Sequence, residues 1–255
     1  MSFNHVRMNH MVWKEYAARK DDIIILPIGA TEQHGPHLPL CVDSVLAEEF
    51  ALRLADKVNG IVAPTISYGY KSAPLSGGGP LFPGTIDLNG STVQAIITDI
   101  VDEFVKDGFT KIFILSAHFE NQAFILEAMD LMSQKYEAMG KNIQLVNSNW
   151  WDPLSPDCLD KVFTEVPFPG WAFEHAAVTE TSLMMYFAPH LVRENEIKPS
   201  KQAEPGTYFK YPIEKDIVPE TGVLAPAVSS TAERGKIIAD DAIENLVKIC
   251  KKAFK

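Results

Sequence analysis

Hydrophobic positions along this chain switch repeatedly between two spacings. Residues 22–28, DIIILPI, form a short continuous apolar run between Asp22 and Gly29, the pattern of a strand buried on both faces. Residues 44–58, SVLAEEFALRLADKV, change to the three-to-four-residue spacing of an amphipathic helix. The cycle then repeats. GIVAPTIS at 60–67 predicts a strand, and STVQAIITDIVDEFVKD at 91–107 predicts a helix with Ser91 as its N-cap and Gly108 as its stop. KIFILSA at 111–117 reads as a strand, 121–139 as a helix stopped by Gly140, and NIQLVNSN at 142–149 as a strand. A helix near 175–187 and a closing helix over 229–253 complete the pattern. Strands alternating with helices imply βαβ units and a mainly parallel sheet, an α/β fold.

Three segments break the rhythm. Residues 68–90 are rich in Gly and Pro, residues 150–173 contain Pro and Trp, and residues 195–228 are irregular, with Pro at 199, 205, 212, 219 and 226. Long segments without regular structure are uncommon in compact domains and are often functional. Ligands of open α/β sheets bind beyond the carboxyl ends of the strands, so the residues that follow each strand are the place to look. No repeat, low-complexity tract or linker-like break is visible, which predicts one domain over 1–255.

Composition narrows the function. The chain is 46% hydrophobic and 22% charged, which excludes global disorder. A formal net charge of −10 argues against nucleic acid or a polybasic membrane contact as partner. The opening MSFNHVRMNHMVWKEY is polar and mixed rather than a secretory signal, and the apolar stretch 23–28 is far too short to cross a bilayer. Cys41, Cys158 and Cys250 are widely spaced, with no CxxC. That points to a reducing cytoplasm, without a disulfide framework or zinc finger, and Cys41 reads as packing.

The chemistry-bearing residues cluster after two strands. The first strand runs into GATEQHGPHLPLCVD, where Glu32 and His34 are two apart and share a side in extended backbone. The strand at 111–117 runs into SAHFEN, where His118 and Glu120 do the same. Asp43 follows at a predicted helix start. Two imidazoles and three carboxylates suit two divalent metals with one carboxylate bridging. His37 competes with His34 as a ligand but sits between prolines at a turn. In PGWAFEHAAVTETS, Glu174, His175 and Glu180 open a helix; they either place an acid/base histidine at a pocket or serve as first-turn acids favoured by the helix dipole. Trp150, Trp151 and Trp171 could wall a planar ligand. SGGGPLFPGT lacks the spacing of a phosphate loop or dinucleotide fingerprint; Gly77, Gly78 and Gly79 either let backbone approach a ligand or form a mobile surface loop.

LPIGATEQHGPHLPLCVD, YGYKSAPLSGGGPLFPGT, SAHFEN and GWAFEHAAVTETS, in that order over roughly residues 13–190, resemble the creatininase (creatinine amidohydrolase) family. Within it they are nearer to creatininase proper than to deformylase or peptide-processing relatives. The resemblance implies a three-layer α/β/α sandwich, a homohexamer, and two divalent ions per subunit (zinc and/or manganese). It also implies hydrolysis of a C–N bond in a small cyclic amide or amidine, as in creatinine plus water giving creatine, with another cyclic amide, a formamide, or a non-catalytic metal scaffold as alternatives. By motif position Glu32 and His118 hold one metal, His34 and Glu120 the other, and Asp43 bridges. His175 falls at the catalytic histidine, with Glu174 beside it and Glu120 orienting water. Ser76, Trp151, Trp171 and Glu180 fall on the substrate side, with Gly77 and Gly78 in a closing loop. Phe119 and Ala172 depart from the family pattern, each removing a polar group from the pocket.

Overall fold

The computed structural model describes residues 3–255 except Pro74, Pro205, Lys215 and Asp216. Pro205, counted above in the irregular segment, therefore lies outside the described residues. Four strands, β1 (Ile24–Ile28), β2 (Ile61–Val62), β3 (Lys111–Ser116) and β4 (Gln144–Asn149), form one parallel sheet in the order β2-β1-β3-β4. The strand expected over 60–67 is cut to two residues. Pro64 has no N–H to donate to a ladder, and the chain returns to the sheet only at an isolated bridge between Ile28 and Ile66.

The alternation of side chains along the strands builds two cores. Ile25, Phe113 and Leu115 point to one face. There they meet Leu46 and Phe50 of α2 (Val42–Val58), Leu183 of α6 (Val178–Phe187) and Ile238 and Leu246 of α7 (Ala232–Ala253). Ile24, Leu26, Ile112 and Ile114 point to the other, against Ile97 and Val101 of α3 (Gly90–Lys106) and Ile125 and Met132 of α4 (Gln122–Ala138). Each such fully buried side chain contributes roughly 1.5–3 kcal/mol, so neither face stays bare. The result is the expected α/β/α sandwich.

Two elements escape the periodic reading. α1 (Trp13–Ala17) is a single short turn near the start. α5 (Pro156–Val162) lies inside the segment read as a loop, although it carries a local start signal. Ser155 Oγ accepts the Cys158 N–H at 3.1 Å, and Pro156 sits in the first helical turn. Among the described residues, no helix is long and apolar enough to cross a membrane.

Because β2 is added on one side of β1 and β3 on the other, the winding order switches between β1 and β3, the place where a crevice opens at the carboxyl ends of such parallel strands. Gly29, at the exit of β1, lies so close to the Asp43–Ser44 backbone that any Cβ there would collide with it. That contact docks the N-terminus of α2 onto the strand end and carries Asp43 into the crevice.

Candidate metal centre and active site

The crevice is built from buried ionisable side chains. After β1 the chain folds back so that the Glu32 N–H donates to Leu40 C=O at 3.0 Å. Glu32, His34, Asp43 and His118 are each 3% exposed or less, and Glu180 is also buried. His118 Nδ1 stands 3.1 Å from Glu32 Oε2 and 3.2 Å from Asp43 Oδ2. His34 Nε2 stands 3.1 Å from Asp43 Oδ1 and 3.6 Å from Glu180 Oε2. Asp43 thus turns one oxygen to each imidazole.

The other nitrogen of each ring fixes its tautomer. His118 Nε2 lies 2.9 Å from the Tyr70 carbonyl, and His34 Nδ1 lies 3.1 Å from the Glu32 carbonyl. A carbonyl only accepts, so those nitrogens carry hydrogen. The nitrogens facing the carboxylates therefore present lone pairs, and lone pair against carboxylate is repulsive without a cation between them. Glu32 Oε1, Asp43 Oδ2 and His34 Nε2 are buried without a hydrogen-bond partner. Backbone carbonyls orienting imidazoles toward carboxylates are the second layer of a metal site. Glu32–Asp43–His118 and His34–Asp43–Glu180 each gather three ligand atoms within 4.8 Å, so the donor set fits divalent cations.

Without a metal, protons must serve instead. Burial opposes charge on His34 and His118. The carboxylates of Asp43 and Glu180 around His34, and of Glu32 and Asp43 around His118, outweigh it and hold both rings well above the usual imidazole range. Burial lifts Glu32, while the charges of His34 and His118 pull Asp43 below the usual carboxylate range despite its own burial.

The motif positions pair His34 with Glu120, whereas the carboxylates beside His34 Nε2 in this structure are those of Asp43 and Glu180. The two-apart rule holds only in extended backbone, and Phe119–Asn121 wind into a 3-10 turn directly after His118. Glu120 is thereby turned to the Nε2 side of His118, at 3.5 Å. Its Oε1 accepts the Ala73 N–H at 3.0 Å and the Ser76 hydroxyl. Among the described residues Glu120 joins none of the three-atom groupings, though it lines the same recess. Glu180, expected on the substrate side, lines it as well.

The segment before α6 supplies the rest of the floor. Ala176 has a left-handed φ of 54°, and this kink delays the helix to Val178. It also sets Glu174 and His175 inward. Glu174 Oε2 accepts from the Thr179 N–H at 2.8 Å and hydroxyl at 2.5 Å, so one oxygen caps α6. Burial pushes the Glu174 carboxyl up to about 8. Burial and the neighbouring charge of His34 hold His175 well below the usual imidazole range, leaving it neutral at neutral pH. His37 is turned away from the cluster; its Nε2 and Thr181 Oγ1 share a hydrogen bond at 2.9 Å.

Gln33 is a residue the motifs concealed. The Gly35 N–H donates to its Oε1 at 2.9 Å, which aims its amide nitrogen at the Gly77 and Gly222 carbonyls and at His175 Nε2, 3.0 Å away. An uncharged amide carries no spacing signal; only its burial between Glu32 and His34 marks it.

An aromatic wall faces the floor. Phe119 stacks on Trp151 (6.3 Å between centroids, 23°), and Trp151 stacks on Trp171 (6.1 Å, 28°). Trp150 meets Trp151 and Trp171 edge-on. With Ser76, Glu120, Glu174 and His175 these rings bound a narrow recess of about 30 Å³. Gly77 and Gly78 do not line it. A Cβ on Gly77 would collide with Glu32 and Ser72, and Gly78, at φ +65°, packs on Val218. Gly77 thus backs the cluster. Ala172 likewise lies off the recess lining.

The family model for creatininase, creatinine amidohydrolase, matches residues 9–250. Creatinine amidohydrolase of Pseudomonas putida is 33% identical over 254 residues, covering 98% of this chain and 97% of that protein. A mycofactocin precursor peptide peptidase of Mycolicibacterium smegmatis is 26% identical over 85% of this chain and 79% of its own length. A 3-dehydro-scyllo-inosose hydrolase of Thermotoga maritima is 26% identical over 89% and 76%. Among solved structures, a mutant creatininase complexed with creatine superposes with a TM-score of 0.95 at 33% identity, covering 98% of each chain. A manganese creatininase gives 0.94 at 33%, also over 98% of each chain.

Proposed function

This chain belongs to the creatininase family, and from that premise we propose that it hydrolyses a C–N bond in a small cyclic amide or amidine, creatinine first among candidates. It does so with two divalent ions held by Glu32, Asp43 and His118 and by His34, Asp43 and Glu180. One observation carries the reading: two imidazoles, each oriented by a backbone carbonyl, aim lone pairs at opposite oxygens of a single buried aspartate. When bound, such ions supply Lewis acidity toward a carbonyl oxygen and toward water.

The side chains do the rest. Neutral His175 accepts the Gln33 amide N–H at Nε2 and so carries its hydrogen on Nδ1; a proton that replaces the Gln33 bond at Nε2 lets the ring release the Nδ1 proton to the departing nitrogen. Glu120, pinned through Oε1 by Ala73 and Ser76, is left with Oε2, 3.5 Å from His118 Nε2, to orient water. Trp151, Trp171 and Phe119 offer flat faces to a planar ring. Among the described residues the recess contains no Lys or Arg, which disfavours rings bearing phosphate or carboxylate. A hexameric assembly and cytoplasmic residence belong to the same reading, supported by the motif resemblance and by three free cysteines.

The test is a panel of creatinine, hydantoins and cyclic imides, assayed for ring opening with zinc and manganese supplied separately. The reading expects ring opening of at least one member, abolished by chelation. No turnover of any member by metal-replete protein would overturn it.

A further inference from the structure

The irregular segment 195–228 and the glycine run at 77–79 meet at one buried side chain, Gln33. Backbone settles the direction of its amide. The Gly35 N–H donates to Oε1, and the carbonyls of Gly77 and Gly222, at 2.8 and 3.0 Å, accept from the nitrogen. Flipped, the amide would set oxygen against both carbonyls and N–H against N–H. His175 Nε2, 3.0 Å from the same nitrogen, therefore meets an N–H whatever the ring itself prefers. Gly222 is moulded to this arrangement. It has a left-handed φ of 73°, and a Cβ there would collide with the Gln33 amide. The Leu224 N–H donates to the His175 carbonyl at 3.3 Å, so the same segment holds His175 by its backbone as well. A second observation gives this hold a purpose. Glu32, His34 and His175 each offer a ligand atom within 4.8 Å of one another, a third grouping that overlaps the two of the floor. The His34 and His175 rings lie 4.4 Å apart, centroid to centroid. A His175 with an open lone pair would compete for the cations that the other two groupings hold.

We propose that Gln33 is a positioning residue that reserves His175 for proton transfer and keeps it out of the metal set. The inference rests on the two-ion reading and deepens it. With an amide N–H on Nε2 and the ring hydrogen on Nδ1, neither nitrogen offers a cation an open lone pair. Gln33 has two amide hydrogens for three acceptors. The Gly77 and Gly222 carbonyls can hold both, so the amide can yield Nε2 to a proton without leaving a buried N–H unpaired. A carboxylate in its place would accept from Nε2–H and free Nδ1 for a cation; an ammonium would add charge beside His34. The uncharged amide does neither. Residues 218–224 thereby belong to the support of the active site, although none of them lines the recess.

The test is solid-state NMR of zinc-loaded protein carrying 13C,15N-labelled histidine, in which each ring nitrogen is identified by its carbon neighbours. His175 is the ring missing from the spectrum of His175→Gln. In wild type its hydrogen should reside on Nδ1, with Nε2 unprotonated and neither nitrogen bound to zinc. Gln33→Met, which keeps the length and loses the N–H, should abolish that pattern: the hydrogen spreads over both nitrogens, or one nitrogen takes zinc. Its kcat for the cyclic amide that wild type opens should fall roughly 10- to 100-fold, as on loss of an outer-shell partner, with KM changed less than about threefold. Gly222→Ala, whose Cβ pushes the amide aside, should alter the His175 signals in the same way; a merely structural role for Gln33 would leave them as in wild type. A hydrogen on Nε2, or a zinc-bound His175, in wild type overturns the proposal without recourse to any variant. So does Gln33→Met with the wild-type spectrum and kcat. The spectrum is read without substrate, which separates two failures. Wild type that opens no cyclic amide overturns the functional reading, whereas a hydrogen on the wrong ring nitrogen overturns the role of Gln33.

Discussion

The floor and the wall of the recess are built by opposite means. The floor hangs on strand ends and a helix start: Glu32 and His34 follow β1, His118 follows β3, and Asp43 lies in the first turn of α2. Its groups are charged, buried and held at about 3 Å from one another. The wall hangs on connecting segments: Phe119 on a 3-10 turn, Trp150 and Trp151 just past β4, and Trp171 on another 3-10 turn. Its contacts are ring stacks 5–6 Å apart, which tolerate small displacements. On the proposed reading, rigid elements set the reaction and adaptable ones set the substrate. That division fits a family whose members include a creatinine amidohydrolase, a peptide peptidase and an inosose hydrolase.

Substitutions on the two sides should therefore fail differently. Asp43→Asn is the largest expected effect. Lewis acidity worth several kcal/mol corresponds to roughly 10³ in rate, and one aspartate faces both imidazoles. Bound metal, measured by atomic absorption, should fall by at least half along with turnover; full retention of both would show that Asp43 serves only one position or none. His175→Ala comes next, with kcat lower by about 10²–10⁴ and metal retained. An unchanged kcat would reduce His175 to a structural residue at the start of α6. Trp151→Ala, on the wall, should act on KM, raising it roughly tenfold through lost stacking and buried area, with kcat nearly intact. A loss confined to kcat would erase the distinction between the two sides.

The smallest effect on turnover belongs to His37, outside both. Burial first, and then the charge of His34, lower it to about 4. The unfolded chain takes its proton near 6.5 and the native chain only near 4. Stability is therefore lost as pH falls across that window, by about 1.4 kcal/mol per pH unit at most. His37→Gln should flatten the fall of Tm between pH 6.5 and 4; an unchanged slope would show that His37 is protonated in the native state.

How far the sequence alone reached depended on whether a side chain's direction follows from local backbone. Strands and helices with clean period-two or period-3.6 patterns were legible, and the parallel order with them. β2 was overextended because Pro64 weighs more in a ladder than its apolar neighbours suggest. Among the site residues, Glu32, His34 and His118 were legible because extended backbone carries them to the sheet edge, and Asp43 because it opens a helix. Glu120 misled because the turn at Phe119–Asn121 begins one residue too soon for the two-apart rule. The approach of Glu180 to His34, across nearly 150 residues of chain, is purely tertiary. So is the hold of Gln33 on His175, Gly77 and Gly222.

The central claim is that the floor is a two-cation site on which hydrolysis depends. Its most direct measurement is turnover of a cyclic amide as chelator-stripped protein is reloaded with zinc or manganese, with bound metal counted at each step. The account predicts no activity without metal and a plateau at two ions per chain. Full turnover by the stripped protein, or a plateau reached with no metal bound, would contradict it.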